Sequence, residues 1–368
     1  MKILVTFGTR PEAYKMIPLL IELMRETALE TKICITAQHR ELLDQAMEPF
    51  GMKADFDFDI MTVGQTLTDI TTKVLQCLPA VIEDFKPDIM LVHGDTTTTF
   101  AASLAAFYSK VRIGHVEAGL RTHNKYSPYP EEMNRKLTTA LADLFFAPTE
   151  VSRANLLREN IPDSSIFVTG NTAIDLIKYT TKENYRFKTE ALNDLDFSRR
   201  IILMTAHRGE SRGEPMKNIC RAALKIVDDH PDVVLVWPVH PGKAVTEPAY
   251  AILGGHERVL LTEPVNIFDM HNLMDRAYLL LTDSGGLQEE APSFDLPVVV
   301  LREVTERPEG KDAGTLVLSG VDEQSIYEAA KELLTDKSLY ATMALTNNPF
   351  GDGNASGRIV EVIKNHAS

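Results

Sequence analysis

Three carboxylates, Asp95, Glu117 and Glu131, are the residues of this sequence that most ask for a chemical explanation. Each lies at the end of an apolar run or the start of a helical pattern, in VHGD (92–95), HVEAGLRT (115–122) and PEEMNR (130–135). Carboxylates gathered around one substrate can move protons as general acid and general base. A second set of residues can receive an anion: Arg10 and Lys15 in FGTRPEAYK, His207 beside Arg208 in TAHRGES, and Ser284-Gly285-Gly286 in TDSGGLQEEAPS. Glycines let a backbone come close to a ligand, and a helix start offers N–H groups with no internal partner. In the same block Glu289 and Glu290 are placed to accept hydrogen bonds from ribose hydroxyls.

Each signal also has an ordinary reading. Asp95 can simply cap the helix begun by the threonines at 96–99, and Glu131 and Arg135, four apart, can form an exposed helix pair. Together, cations fit for a diphosphate and carboxylates fit for proton transfer point to chemistry on a nucleotide sugar. Oxidation with a nicotinamide is poorly supported, because GxGxxG is absent and GDGNASG (351–357) reads as a turn before the last helix. Cys34, Cys77 and Cys220 match no zinc or redox spacing and read as buried thiols of a reducing cytosol.

These residues need a scaffold that gathers strand ends. Apolar runs at 2–8, 31–37, 88–95, 112–118, 144–149 and 165–170 alternate with helical patterns such as 67–85 and 131–144. The scheme repeats with runs at 201–206, 233–240, 258–264, 277–285 and 297–303. Continuous apolar strands separated by helices imply parallel sheets covered on both faces. The expectation is α/β, with two Rossmann-like doubly wound domains facing a cleft and ligands beyond the carboxyl ends of the strands. The polar, weakly patterned stretch 182–200 reads as the connection between them.

At 368 residues the chain is too long for one ordinary core. A net charge of −14 argues against general nucleic-acid binding, so any anion has to be held by a local basic cluster. MKILVTFG is too short for a secretory segment, and no run approaches a membrane span.

The blocks FGTRPEAYK, TAQHRELLDQ, PDIMLVHGDTTTTFAASLAAFY, GHVEAGLRT, YSPYPEEMNR, TGNTAIDL, LTDSGGLQEEAPS, TERPEG and NPFGDGNAS closely resemble the non-hydrolysing UDP-N-acetylglucosamine 2-epimerases of bacteria. The resemblance runs from the first strand to the last helix. It implies a GT-B-like fold, with one domain at 1–180, a UDP-binding domain at 181–347, and a C-terminal helix (348–368) that returns to the first. It implies a cytoplasmic homodimer that interconverts UDP-GlcNAc and UDP-ManNAc for cell-envelope polysaccharide, with no metal and no cofactor. The implied route eliminates UDP to a 2-acetamidoglucal and adds it back, with the proton delivered to the opposite face of C2.

In that scheme Asp95, Glu117 and Glu131 match the acidic catalytic positions. Arg10, Lys15, His207 and the Ser284-Gly285-Gly286 turn stabilise the diphosphate. Glu290 holds the ribose, Arg135 and Arg307 orient groups, and Met270 meets uracil through its backbone. Gln38, His39, Glu41 and His240 fall on positions associated with a second, activating UDP-GlcNAc. Thr246 stands where the family usually carries an arginine. Gly209 replaces an arginine tied to the activating site and Gly64 one found in some members, so weakened or altered activation is expected. The competing readings are a hydrolysing epimerase, a GT-B glycosyltransferase and a catalytically silent nucleotide-sugar sensor.

Overall fold

The computed structural model describes residues 1–36, 40–60, 62 and 64–366, with residues 40–42 described by their backbone alone. The chain divides into two compact units, Met1–Leu176 with Phe350–Ser368, and Ile177–Pro349. In the first, strands β1 (Lys2–Phe7), β2 (Glu30–Ile35), β3 (Phe56–Asp57), β4 (Ile89–His93), β5 (Arg112–Val116), β6 (Leu144–Ala147) and β7 (Ile166–Val168) form one sheet. Its order is β3-β2-β1-β4-β5-β6-β7, with every pair parallel. In the second, β8 (Arg200–Thr205), β9 (Val233–Pro238), β10 (Val259–Thr262), β11 (Leu279–Thr282), β12 (Val298–Val300) and β13 (Leu316–Leu318) pair in the order β10-β9-β8-β11-β12-β13, again all parallel.

The reason for these long apolar runs is visible in the second unit. Ile202 and Met204 on β8 join one buried cluster with Leu235, Trp237 and Leu279. Ile201 and Leu203 join another with Val236, Leu280 and Val298. Successive side chains point to opposite faces, and both faces are covered, so the middle of β8 is apolar throughout and its polar residues, Arg200 and Thr205, stand at its two ends. In the first unit Ala101, Ala102, Ala105 and Ala106 of helix Thr97–Tyr108 pack with Leu78, Val81 and Ile82 of helix Leu67–Phe85. Small side chains there let the helix lie close against its neighbours.

In both sheets the chain changes direction beside the first strand laid down, between β1 and β4 and between β8 and β11. Register brings the strand ends level there, with Thr6 opposite Val92 and Thr205 opposite Thr282. The loops leaving these ends diverge and open the crevice in which doubly wound sheets bind ligands.

Three details depart from the sequence reading. Strands β3 and β13 were not anticipated; they are two and three residues long at sheet edges, too short to carry a pattern. Residues 182–200 are not a connection but part of the second unit. Asp269, fully buried, accepts hydrogen bonds from Tyr185 Oη (2.9 Å), Lys188 N (2.9 Å), Thr189 N (3.0 Å) and Thr189 Oγ1 (2.8 Å), while Phe187 and Leu192 enter the core. Among the cysteines, Cys34 and Cys220 are buried but Cys77 is half-exposed, and all three are thiols.

The last helix, Ala355–Asn365, belongs to the first unit and has no side-chain cap of its own. Buried Asp175 supplies one instead, accepting from Ala355 N (3.0 Å) and Ser356 N (2.6 Å). Asp175→Ala would strand two buried donors and is expected to cost about 2 kcal/mol. Denaturant titration checks this; an unchanged midpoint would show that the helix is held by its apolar face alone.

Candidate active site

Helix Arg10–Arg25 starts immediately beyond β1 with a capping box: Thr9 Oγ1 faces Glu12 N, and Glu12 reaches back. The glutamate does more than cap. Its Oε2 accepts from Gly8 N (3.1 Å), Thr9 N (2.8 Å) and Thr9 Oγ1 (2.8 Å), and its Oε1 from Thr96 Oγ1 (2.7 Å) and Thr99 Oγ1 (3.1 Å). Glu12 thereby ties the end of β1 to the end of β4. Burial pushes its carboxyl above the ordinary value, and the hydrogen bonds from Thr96, Thr9, Gly8 and Thr99 pull the other way. Gly8 lies over a hydrogen bond between Thr36 and Thr98 (3.0 Å), where a Cβ would come within 2.6 Å of Thr98 Oγ1 and nearer still to Thr36. Arg10 and Lys15 leave this helix, Arg10 exposed and Lys15 half-buried.

Lys15 pairs with Glu117, the residue after β5. Glu117 holds φ at +63°, a left-handed conformation that disfavours any side chain. The sheet imposes it, since Gly94 N donates to Val116 O (2.9 Å) and Ala118 N to Phe146 O (3.0 Å) on either side. Asn171 Nδ2 also donates to Glu117 Oε2 (3.0 Å). His93 Nε2 lies 3.8 Å from the same oxygen. Burial pushes His93 down to about 4, with Glu117 acting in the opposite sense, and pushes His115 down to about 4 as well.

Asp95 follows β4 and pairs with Arg135 at 2.6 Å, while its carbonyl accepts from Asn134 Nδ2 (2.9 Å). Arg135 Nη1 also reaches Glu132 Oε2 (3.3 Å). The anticipated Glu131–Arg135 helix pair is therefore replaced. Arg135 turns to Asp95 and to buried Glu132, which additionally accepts from Thr122 N (3.0 Å) and His123 N (3.1 Å). Glu131 is left with a buried Oε2 that has no hydrogen-bond partner among the described residues. Arg121 has a structural task, its guanidinium spent on Glu159 in a two-point pair (2.8 and 2.8 Å) and on Thr139 (2.8 Å).

The second unit has a matching device. Fully buried Asp283, after β11, accepts through Oδ2 from His207 N (2.8 Å), Arg208 N (2.8 Å) and Ser211 Oγ (3.0 Å), all beyond β8. His207 Nδ1 stands 3.4 Å from Asp283 Oδ1, and its ring stacks on exposed His240 at 5.7 Å and 11°. Burial pushes His207 below its ordinary value, opposed by Asp283. Helix Gly285–Glu290 follows Ser284, and the guanidinium of Arg307 covers Gly285, where a Cβ would lie 3.3 Å from Cζ. Around Gly286 that space is open.

Glu289, grouped with Glu290 by sequence, is 1% exposed and held by Arg307 Nε at 2.6 Å, so it anchors the arginine instead of offering itself to a sugar. Glu290 faces His271 Nε2 at 3.3 Å, and His271 Nδ1 meets Thr180 Oγ1 at 2.6 Å. Met270 packs on the core. Gln38 and His39 lie outside the described residues, as does the side chain of Glu41. Sequence reasoning missed Glu12, Asn171, Glu132 and Asp283. Asp283 stood in a block read for its neighbours Ser284-Gly285-Gly286, and Asn171 in TGNTAIDL, a block quoted for its resemblance with no role given to any residue. Among the described residues no group of His, Cys, Asp or Glu is arranged to hold a metal ion.

A family model described as UDP-N-acetylglucosamine 2-epimerase matches residues 21–364. The UDP-N-acetylglucosamine 2-epimerase of Bacillus subtilis strain 168 is 52% identical over 366 residues, covering 100% of this chain and 96% of its own. The UDP-GlcNAc 2-epimerase of Neisseria meningitidis, solved bound to UDP-GlcNAc, is 48% identical with a TM-score of 0.92, over 99% of this chain and 100% of its own. Staphylococcus aureus MnaA, solved with UDP, is 50% identical with a TM-score of 0.91, over 100% of this chain and 96% of its own. The two parallel sheets are thus of the GT-B-like α/β class.

The two buried imidazoles set an acid limit on the first unit. Unfolded, both bind protons as the pH falls below about 6.5. Folded, both resist until about 4. Stability is therefore intact above pH 6.5 and drains away between about 6.5 and 4, by on the order of 3 kcal/mol per imidazole. Chemical denaturation at pH 7.5 and 5.0 checks this. A midpoint independent of pH in that window contradicts it.

Proposed function

Because the chain belongs to the UDP-N-acetylglucosamine 2-epimerase family and is an isomerase of that type, we propose that it interconverts UDP-GlcNAc and UDP-ManNAc without hydrolysis. The observation that carries the reading is the group of acidic residues around one switch point: Glu117 beside Lys15, Asp95 beside Arg135, and Glu131 with an oxygen that lacks a partner among the described residues. A C2 proton next to no carbonyl is not acidic, so inversion there proceeds by losing UDP to a 2-acetamidoglucal and adding it back. Two faces of one carbon call for more than one acid–base group, and these three carboxylates stand in different surroundings.

In this reading Asp95, Glu117 and Glu131 move the protons. Arg10, Lys15, His207 and the Ser284-Gly285-Gly286 turn stabilise the diphosphate as it gains charge. Glu290 takes the ribose, Met270 meets the uracil through its backbone, and Arg135 and Arg307 fix the carboxylates beside them. The chain works in the cytoplasm as a homodimer and supplies cell-envelope polysaccharide synthesis. No helix among the described residues is long and apolar enough to cross a membrane.

NMR of UDP-GlcNAc incubated with the protein in D2O tests the reading. UDP-ManNAc carrying deuterium at C2, with no free ManNAc accumulating, is the expected result. Accumulating UDP and free sugar would place the chain with hydrolysing epimerases, and absence of turnover would sink the enzyme reading. Glu117→Gln is expected to lower kcat about 10²- to 10⁴-fold.

A second UDP-GlcNAc bound by Gln38, His39, Glu41 and His240 is expected to activate weakly, since Gly209 and Gly64 offer no guanidinium. Initial rates from UDP-ManNAc, measured with and without trace UDP-GlcNAc, should then agree. A strong dependence on the added nucleotide sugar would show that activation survives both glycines.

A further inference from the structure

We propose that His93 is a positioning residue for Glu117, accepting a hydrogen bond from that carboxyl once it carries the proton taken from the substrate. The inference rests on the epimerase reading and deepens it. His93 closes β4 and is 3% exposed, yet neither ring nitrogen has a hydrogen-bond partner among the described residues. Leaving a polar atom unmet in the interior is costly, so such groups are rare and call for a reason. The other buried histidine nearby does not share the anomaly in full, because its Nε2 meets Gly94 O at 2.7 Å.

The reason lies in the protonation state of the neighbour. His93 Nε2 is 3.8 Å from Glu117 Oε2, beyond hydrogen-bond range. That oxygen accepts from Asn171 Nδ2 and pairs with Lys15, as a carboxylate does. In this proposal the neutral imidazole carries its hydrogen on Nδ1 and turns the Nε2 lone pair toward that oxygen, and two acceptors cannot bond. A proton on Oε2 reverses the relation, since an O–H can donate to Nε2 after a small approach. Catalytic hydrogen bonds are commonly long without substrate and tighten when it binds.

Burial suits the imidazole to this task, because it keeps the ring uncharged beside Lys15 and ready to accept. The charged and titratable groups facing it are Glu117 and Lys15, with Asp95 on its own loop and His115 on β5. The chemical step balances without a further reactant. The C2–H bond breaks as an O–H bond forms on Glu117, the C–H electron pair becomes the second C1–C2 bond, and UDP departs with the C1–O pair. His93 then holds the new hydroxyl in place until the proton returns.

The test compares the parent protein with His93→Leu, His93→Gln and Glu117→Gln in the D2O assay. His93→Leu is expected to lower kcat about 10- to 100-fold, with KM for UDP-GlcNAc within about threefold of the parent and a shifted kcat–pH profile. His93→Gln, which keeps an acceptor, should recover part of the loss. A His93→Leu enzyme with parental kcat, or one whose loss lies wholly in KM, overturns the inference while leaving an epimerase. A parent without turnover, or a fully active Glu117→Gln, fails the underlying reading and takes this inference with it.

A measurement on the unsubstituted protein guards against misfolding of the variants. The His93 Nε2 resonance of 15N-histidine-labelled protein should move toward a hydrogen-bonded position when UDP and 2-acetamidoglucal are added together. An unmoved resonance at saturation overturns the inference.

Discussion

Everything that gathers at the end of the first sheet depends on one buried carboxylate. Glu12 takes five donors from two chain segments and so converts two neighbouring strand ends into a single rigid platform. Without it, two helix starts would each present unmet polar groups to the interior, and Arg10, Lys15 and Asp95 would leave their strands independently. A buried carboxylate is costly to desolvate and is tolerated only where its oxygens are well supplied with donors. Here the supply is complete, and every donor belongs to a residue at a strand end or the start of a helix.

The second unit solves the same problem with a shorter residue. Asp283 belongs to the loop after β11 and gathers the backbone beyond β8, whereas Glu12 belongs to the helix after β1 and gathers the threonines beyond β4. In each case a carboxylate bridges the pair of strands where the winding reverses. Doubly wound sheets open there, so the backbone must be splayed for a ligand and pinned against fraying at once. The different residues fit the different distances: a glutamate reaches from inside a helix, and an aspartate suffices from the loop itself.

The scaffold was legible in the sequence because parallel strands buried on both faces are written as uninterrupted apolar runs. Helix Leu67–Phe85 could be read to the residue, framed by its Thr66 cap and by Lys86 in a left-handed conformation. Segment 182–200 could not, because aromatic packing of Phe187 on Phe197 and the four donors to Asp269 leave no periodic trace. The same limit applies to the candidate site. Asp95 and Glu117 were visible from their positions at strand ends, but spacing along a helix suggested Glu131 as the partner of Arg135, and folding put Asp95 there. Glu12 was hidden for the same reason, since Thr96 and Thr99 come from a distant part of the chain.

The cap that Asp175 places on the final helix also bears on the order in which the molecule can be finished. The first unit is built from residues on both sides of the second. As the chain leaves the ribosome, Asp175 emerges early but has nothing to cap until residues 177–349 have followed it. At ordinary synthesis speeds that interval is roughly 10–35 s, ample time for the inserted unit to form its own sheet. The interrupted unit is therefore completed after the one inserted into it, and the carboxylate of Asp175 gains the helix it serves only then.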